Sequence, residues 1–154
     1  MRRIILSLLA VSMLASFSFV NQNQVKQTES MNNKEQIIRV CNDFIEGADE
    51  QDLERLATAL HEKFSNVQNG YFGESGVRLI NRASYLEHVA KGKFGGIKRS
   101  VEFLSVDVNG DMAMVHVFLS HQYLNFDSYI SLVLEQDEWK VIGNFPKIEL
   151  IEQP

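Results

Sequence analysis

The sequence contains very little cysteine and no surplus of positive charge, and each shortage excludes a class of protein. Cys41 is the single cysteine, so the chain cannot form an internal disulfide. The net charge is −5, from 15 basic and 20 acidic residues. Surfaces that bind nucleic acid carry clustered positive charge, whereas the one basic run here, Lys91 to Arg99, is interrupted by glycines and is typical of a solvated loop. No nucleic-acid partner is expected.

The motifs of several large enzyme classes are also absent. The sequence has no Gly-x-Ser-x-Gly, no phosphate-binding P-loop and no Gly-x-Gly-x-x-Gly. The four histidines do not have the spacing of metal ligands. His116 and His121 differ by five, so on one regular strand they point to opposite faces. We therefore expect neither a metal site nor a cofactor.

The N-terminus has the pattern of a targeting segment. Arg2-Arg3 precedes an apolar stretch from Ile4 to Val20, which predicts a signal peptide over residues 1–20, cleaved within Ser16–Gln22. The alternative is an uncleaved N-terminal anchor, although the apolar run is slightly short for a membrane span. Residues 21–32 are polar and are predicted to be a linker, and residues 33–150 a single domain. We expect export to the periplasm or the medium, with no other membrane contact.

Apolar residues at spacings of three and four predict three helices. The first runs from Asn33, its N-cap, to about Ala48, and its apolar stripe includes Cys41, which we interpret as an inert core residue. The second runs from Glu50 to Leu60, with Asp49 as its N-cap. After a short predicted strand, Ser84 begins a third helix that ends near Lys91. The extended segment before that strand contains Asn69-Gly70, which predicts a turn.

The last third of the chain predicts an antiparallel sheet. Asn109-Gly110 joins the first two segments and is a strong hairpin signal, because both residues tolerate positive φ. The apolar segments are Val101–Val108, Met112–Tyr123, Phe126–Leu134 and Trp139–Phe145.

Taking Asn109 and Gly110 as the two loop residues separates the two faces of this hairpin. The predicted inner face contains Leu104, Val106, Ala113 and Val115, and the predicted outer face contains Phe103, Met114, His116 and Phe118. Both faces are largely apolar, whereas a sheet with one wet face alternates apolar and polar residues. We therefore expect the helices to cover the inner face and a second subunit to cover the outer one.

The order of these elements, with four short motifs, resembles the nuclear-transport-factor-2-like superfamily. Within that superfamily the chain resembles the family described as putative lumazine-binding, from about Glu35 to Phe145. The motifs are Leu60-His61-x-x-Phe64, Val106-x-Val108-x-Gly110-Asp111-x-Ala113-x-Val115-x-Val117, Phe126-x-x-Tyr129-Ile130-Ser131-Leu132 and Trp139-Lys140-Val141-Ile142.

The resemblance implies an α+β cone fold, in which a strongly curved mixed or antiparallel sheet wraps around three helices and encloses a cavity. It also implies a homodimer through the convex sheet face. Enzymes of the superfamily, such as ketosteroid isomerases, scytalone dehydratase, limonene-epoxide hydrolase and polyketide cyclases, place acid–base residues in the cone. This chain has Ser128 where the family often has Asp, so one carboxylate is missing.

The sequence suggests one catalytic set and one ligand-binding set. In the first, His121 is the general base, Asp127 orients it, and Tyr123 donates to a developing oxyanion. In the second, aromatic walls would hold a flat ring. Its members are His61, Phe64, Tyr71, Tyr85 and Trp139. His61 has a structural alternative, in which its imidazole bonds to the carbonyls at the end of the second helix.

Three functions remain open from the sequence. The first is a binding domain for a small aromatic or heterocyclic molecule. The second is a cofactor-free isomerase, dehydratase or cyclase that uses a histidine with Asp or Tyr. The third is an interaction module whose pocket is vestigial. An apolar pocket with few polar groups would favour the binding domain. A carboxylate–histidine pair inside the cone would favour the enzyme, and a filled cone would favour the interaction module.

Overall fold

A computed structural model describes residues 31–71 and 74–151 of the chain. The fold lies in the residues from Gln36 onward, which form one compact unit. The predicted signal peptide and residues 21–30 of the predicted linker lie outside the described residues, and residues 31 and 32 are already helical. In the described part of the chain, no helix is long and apolar enough to cross a membrane.

The described residues form three helices and a six-stranded sheet. The sheet has the order β2-β1-β6-β5-β4-β3, and β1 and β6 are parallel while the other neighbours are antiparallel. The predicted α+β cone fold, with a curved mixed sheet around three helices, is confirmed. The elements are α1 (31–49), α2 (Leu53–Ala59), β1 (Leu60–Tyr71), β2 (Glu74–Asn81), α3 (Arg82–Ala90), β3 (Ser100–Asn109), β4 (Met112–His121), β5 (Leu124–Glu135) and β6 (Glu138–Leu150).

The core lies between the helices and one face of the sheet, called here the inner face. Cys41, Leu56 and Val89 from the three helices are fully buried in one cluster with Val115 and Val141 of the sheet. The prediction of a buried cysteine is confirmed, and burial raises the pKa of the Cys41 thiol to about 12. The thiol is therefore protonated and unreactive near neutral pH.

The predicted helix starts are wrong at all three helices. Asn33 lies within α1, which already covers residue 31. Asp52 caps α2 by accepting a hydrogen bond from the backbone N–H of Arg55 at 3.0 Å, and Asn81 caps α3 in the same way. Several short polar residues precede each helix, and the sequence does not indicate which of them reaches an N–H group.

The loop of the hairpin between β3 and β4 lies one residue later in the chain than predicted. Gly110 and Asp111 form the loop, since Asn109 pairs with Met112. Gly110 has φ +63° and is the first loop residue, the position where a type II′ turn requires glycine. The Asn69-Gly70 turn is also wrong, because both residues lie within β1, where Gly70 (φ +77°) accompanies a shift in pairing register.

A bulge in β3 changes the face of two predicted residues. Phe103 pairs with Val117 and Ser105 pairs with His116, so Leu104 is the extra residue. Phe103 consequently packs against the core, and Leu104 points outward and is 48% exposed. Their predicted faces are therefore exchanged, while Val115 lies on the inner face and Met114 on the outer face, as predicted.

Candidate ligand-binding cavity

A cavity of about 240 Å³ lies on the inner face of the sheet. Its walls are mostly apolar and come from α1, α3, the segment after α3, and strands β1, β4, β5 and β6. The apolar and glycine lining residues are Phe44, Ala48, Tyr85, Phe94, Gly95, Ile97, Leu119, Leu124, Phe126, Ile130, Pro146 and Ile148, and the polar ones are Asn66, Gln68, Lys93, Arg99, Ser128 and Asn144.

Buried polar side chains from β1, β6 and β5 line one part of the cavity. Asn66 is the register partner of Asn144 on the parallel strand pair, and the Nδ2 atom of Asn144 donates a hydrogen bond to Oδ1 of Asn66 at 2.7 Å. Gln68 follows two residues along β1 and therefore projects to the same face. Ser128 of β5 is 2% exposed. The cavity thus has a polar region within apolar walls, the usual composition of a small-molecule site.

A nearly buried ion pair holds Arg99 in the cavity wall. Its guanidinium Nε and Nη2 atoms lie 2.7 and 2.6 Å from Oδ1 of Asp49, and its backbone N–H donates to Oδ2 of Asp49 at 3.0 Å. The guanidinium also lies over the ring of Phe126, 4.8 Å from its centroid. Asp49, predicted as a helix cap, therefore positions a cation at the cavity.

Tyr85 belongs to an aromatic cluster beside the cavity. Its ring centroid lies 5.9 Å from that of Phe44, 5.2 Å from that of Phe64 and 5.4 Å from that of Phe94. Burial raises the pKa of the Tyr85 phenol to about 12, so the hydroxyl stays protonated near neutral pH. Tyr85 can therefore donate a hydrogen bond but is not suited to act as a base.

The structure does not bring the predicted catalytic residues together. His121 and Tyr123 are in contact, with ring centroids 5.5 Å apart, at the β4–β5 turn. Asp127 lies on the outer face, where His116 Nε2 donates to its Oδ1 at 2.6 Å. Side chains alternate between faces along a strand, and Ser128, not Asp127, occupies the inward position. The proposed His121–Asp127 pair is therefore wrong.

Of the predicted ligand-binding residues, Tyr85 lines the cavity and the other described ones do not. Phe64 is buried behind Tyr85, and Trp139 is buried in the core. His61 Nδ1 accepts from the backbone N–H of Lys63 at 3.0 Å, and Nε2 donates to Oε2 of Glu135 at 3.1 Å. Both ring nitrogens of His61 are thus bonded within the fold, and these partners differ from the predicted helix-end carbonyls. The side chain of Tyr71 lies outside the described residues.

The polar lining residues and the Asp49–Arg99 pair were not predicted from the sequence. One signal was present, because Phe64, Asn66 and Gln68 alternate in an extended segment and so share one face. When polar residues lie on the same strand face as a buried phenylalanine, either that end of the strand is exposed to solvent or the polar side chains line a cavity. Within residues 31–71 and 74–151, no group of three or more His, Cys, Asp or Glu side chains is arranged to hold a metal ion.

The sequence profile of the "Putative lumazine-binding" family matches residues 32–145. The chain belongs to this family. The match spans the cone fold almost completely, including the strands that carry the cavity's polar residues. No curated protein shows significant similarity to the chain.

Solved structures with the same fold are distant in sequence. An NTF2-like protein of unknown function from Silicibacter pomeroyi DSS-3 has a TM-score of 0.68 at 19% identity, covering 78% of this chain and 98% of that one. Another, from Shewanella baltica OS155, has a TM-score of 0.67 at 12% identity, covering 77% and 95%. A third, from Cytophaga hutchinsonii ATCC 33406, has a TM-score of 0.61 at 16% identity, covering 74% and 96%. At these identities the similarity concerns the fold.

Proposed function

We propose that this member of the family is a binding domain for a small aromatic or heterocyclic molecule. The observation that carries the proposal is the cavity, whose apolar walls surround buried amide groups without complete hydrogen bonding. Its volume of about 240 Å³ lies just below the range of roughly 300–1,000 Å³ usual for drug-sized ligands. One or two fused rings are therefore the expected size.

The chemistry of the lining favours binding over the alternative of a cofactor-free isomerase, dehydratase or cyclase. Proton transfer needs a group whose pKa lies near the working pH, usually an imidazole or a carboxyl. The described lining residues include no Asp, Glu or His, and the carboxylate of Asp49 next to the cavity is bound to Arg99. Amides, a serine hydroxyl and a protonated phenol recognise a ligand without changing its protonation.

The proposal is tested by screening a library of one- and two-ring aromatic and heterocyclic fragments against the ¹⁵N-labelled protein. Binders should shift the NMR signals of cavity-lining residues. The Ser128→Leu variant, which adds volume at a buried position in the cavity, should abolish these shifts, whereas Ser105→Leu at an exposed position on β3 should leave them unchanged. Fragments that shift no lining residue at millimolar concentration, or that bind Ser128→Leu as well as wild type, would contradict a ligand-binding cavity.

The outer face of the sheet supports the expectation of a homodimer. A row of register partners crosses it from His116 through Tyr129 to Phe145, and the rings of His116 and Tyr129 are stacked 4.3 Å apart. Tyr129, Phe145 and the neighbouring Met114 are 48%, 45% and 42% exposed. Solvent-exposed apolar side chains grouped on one sheet face are typical of an association surface. We propose that a second copy of the chain covers it.

The dimer is tested by sedimentation at micromolar concentration. Met114→Lys should shift the protein towards the monomer, because a charge would be buried at the interface. The matched control is Val77→Lys, an exposed apolar position on β2 (66% exposed), which should not alter the sedimentation coefficient. A wild-type monomer, or a dimer that Met114→Lys does not weaken, would rule out this interface.

We also propose that the chain is exported, on the support of the sequence at residues 1–20. Expression of the full chain in a bacterium, followed by fractionation and intact-mass measurement, tests this. The expected product is extracytoplasmic and has lost its N-terminal segment, while a chain without residues 2–20 should stay in the cytoplasm. Full-length protein found in the cytoplasm would contradict export, and full-length protein in the membrane would favour the anchor.

A further inference from the structure

A second cavity lies between the edge strand β2, the C-terminal end of α3 and the segment that follows α3. Its volume of about 390 Å³ is within the range of roughly 300–1,000 Å³ usual for small-molecule sites. The described residues that line it are Arg78, Leu79, Ile80, His88, Lys93 and Phe94. Three of these six side chains are basic and none is acidic, although acidic residues outnumber basic ones in the whole chain. The lining therefore favours a negatively charged ligand.

The fold brings these side chains together from separate elements. Arg78 and Ile80 are two positions apart on β2 and therefore project to the same face, and Ile80 packs against the core. The backbone carbonyl of His88 accepts hydrogen bonds from the N–H groups of Lys93 at 2.8 Å and Phe94 at 3.2 Å. The rings of His88 and Phe94 are in edge contact, with centroids 4.9 Å apart. The segment that carries Lys93 is therefore held against α3.

Lys93 is the residue that the basic run from Lys91 to Arg99 contributes to this cavity. Lys91 is bound to the carboxylate of Glu87. Arg99 is bound to the carboxylate of Asp49. Among the described residues, no carboxylate forms an ion pair with the ammonium group of Lys93. The positive charge of Lys93 is therefore available to a ligand.

The imidazole of His88 also indicates a ligand with hydrogen-bond acceptors. Its Nδ1 atom is buried and has no hydrogen-bond partner among the described residues. Buried polar atoms in native proteins are nearly always paired, so an unpaired nitrogen beside a cavity indicates a missing partner. An imidazole carries at least one N–H donor whether it is neutral or protonated, so it can donate to a carboxylate or phosphate oxygen.

We propose that this cavity binds a small organic anion. Its carboxylate or phosphate group is bound by the basic side chains of Arg78, His88 and Lys93, and its apolar part packs against the ring of Phe94. Among the described residues, Lys93 and Phe94 line both cavities, whereas Arg78 and His88 line only this one. The site is thus separate from the cavity on the inner face of the sheet and does not depend on the binding function proposed for that cavity.

Three compounds with the same ring test the proposal on the full chain, labelled at its leucine and isoleucine methyl groups. Leu79 and Ile80 report on the second cavity, and Leu119 and Ile130 report on the first. Phenyl phosphate and benzoate should shift the Leu79 and Ile80 signals. Both should bind about tenfold more tightly than uncharged benzamide, because an arginine and a lysine each attract the anion. The tighter binder of the two identifies the anionic group. A salt concentration of about 1 M should reduce the difference from benzamide, because salt screens exposed charges.

Substitutions then assign the preference to the basic side chains. Arg78→Gln and Lys93→Gln are made separately, so that one remains informative if the other disturbs the fold. Each should weaken the binding of the tighter anion by at least about threefold and leave benzamide unaffected. The matched control is Lys63→Gln, at a lysine of β1 whose side chain is 77% exposed, and it should bind the anion as wild type does.

Each outcome bears on the proposal. Equal binding of the anions and benzamide overturns it, as does anion binding that neither Arg78→Gln nor Lys93→Gln weakens. Shifts confined to Leu119 and Ile130 also overturn it, because they place the anion in the first cavity. If no compound shifts Leu79 or Ile80 at millimolar concentration, the anion site is again overturned. The fragment screen with Ser128→Leu decides separately whether the first cavity binds a ligand.

Discussion

Removal of the Asp49 carboxylate should destabilise the fold more than removal of an equivalent surface carboxylate. Asp49 and Arg99 side chains are 6% and 11% exposed, and the carboxylate accepts from both the guanidinium and a backbone N–H. Asp49→Ala leaves these donors buried without a partner. Breaking a buried ion pair from one side costs about 3–5 kcal/mol, and the partial exposure of Arg99 places our expectation at the lower end, about 3 kcal/mol.

Urea unfolding followed by the fluorescence of Trp139 measures this loss. Trp139 is the single tryptophan and is 3% exposed, so its emission should change on unfolding. With a urea m-value of about 2 kcal/mol/M, a loss of about 3 kcal/mol lowers the midpoint by about 1.5 M. The double variant Asp49→Ala/Arg99→Ala should be destabilised by less than the sum of the single variants, because the second substitution removes the unpaired charge.

The matched control is the ion pair of Asp43 with Arg55, whose Nε–Oδ1 distance of 2.8 Å is close to the 2.7 Å of the Asp49–Arg99 pair but whose side chains are 37% and 31% exposed. Asp43→Ala should cost no more than about 1 kcal/mol. If Asp49→Ala and Asp43→Ala shift the midpoint equally, or if the Asp49 and Arg99 losses simply add, burial does not strengthen the Asp49–Arg99 pair.

Three further predictions concern the same unfolding assay and the cysteine. Gly95→Ala should lower the free energy of unfolding by at least about 2 kcal/mol more than Gly110→Ala. Both glycines have positive φ, so the backbone strain is similar. A Cβ at Gly95 would lie 1.8 Å from a backbone oxygen of α1, whereas the space at Gly110 is open. Equal losses would contradict this. Asp52→Ala should lower the free energy of unfolding by about 1 kcal/mol, because α2 loses its N-cap. Glu54→Ala in the same helix should lower it by less. A larger loss for Glu54→Ala would contradict a stabilising N-cap at Asp52. Cys41 should resist alkylation by iodoacetamide at pH 8 until urea unfolds the protein, because burial raises the pKa of its thiol to about 12. The thiol of the unfolded chain ionises at a lower pH. The free energy of unfolding should therefore fall as the pH rises from about 9 towards 12. Rapid alkylation of the folded protein would contradict this burial.

The fold could be predicted because its signals are local and repeated. The stripe through Ile37, Cys41 and Phe44 predicts a helix buried on one side, and that side is buried in the structure. The alternation in β4 likewise places Val115 inward and Met114 outward. Such patterns depend only on the period of a helix or a strand, so neighbouring residues reinforce one another.

The candidate site could not be predicted in the same way, because its partners are distant in sequence. Asp49 and Arg99 are 50 positions apart, and Asn66 and Asn144 are 78 apart. Each looks unremarkable in its local sequence, where Asp49 resembles a helix cap. A single bulge at Leu104 also exchanged the faces of two residues, because an extra residue in one strand turns the side chains on one side of it to the opposite face.

The amino-acid sequence was enough to predict the α+β cone fold, the buried unreactive cysteine and the family to which the chain belongs. The three-dimensional structure was needed to show that Asp127 pairs with His116 outside the cone, and that amides from parallel strands line a cavity inside it. Apolar residues recur with the period of a helix or a strand, so each turn and each pair of strand residues repeats the same signal of which side is buried. A binding site instead depends on the register between strands, which one bulge or one turn residue is enough to change.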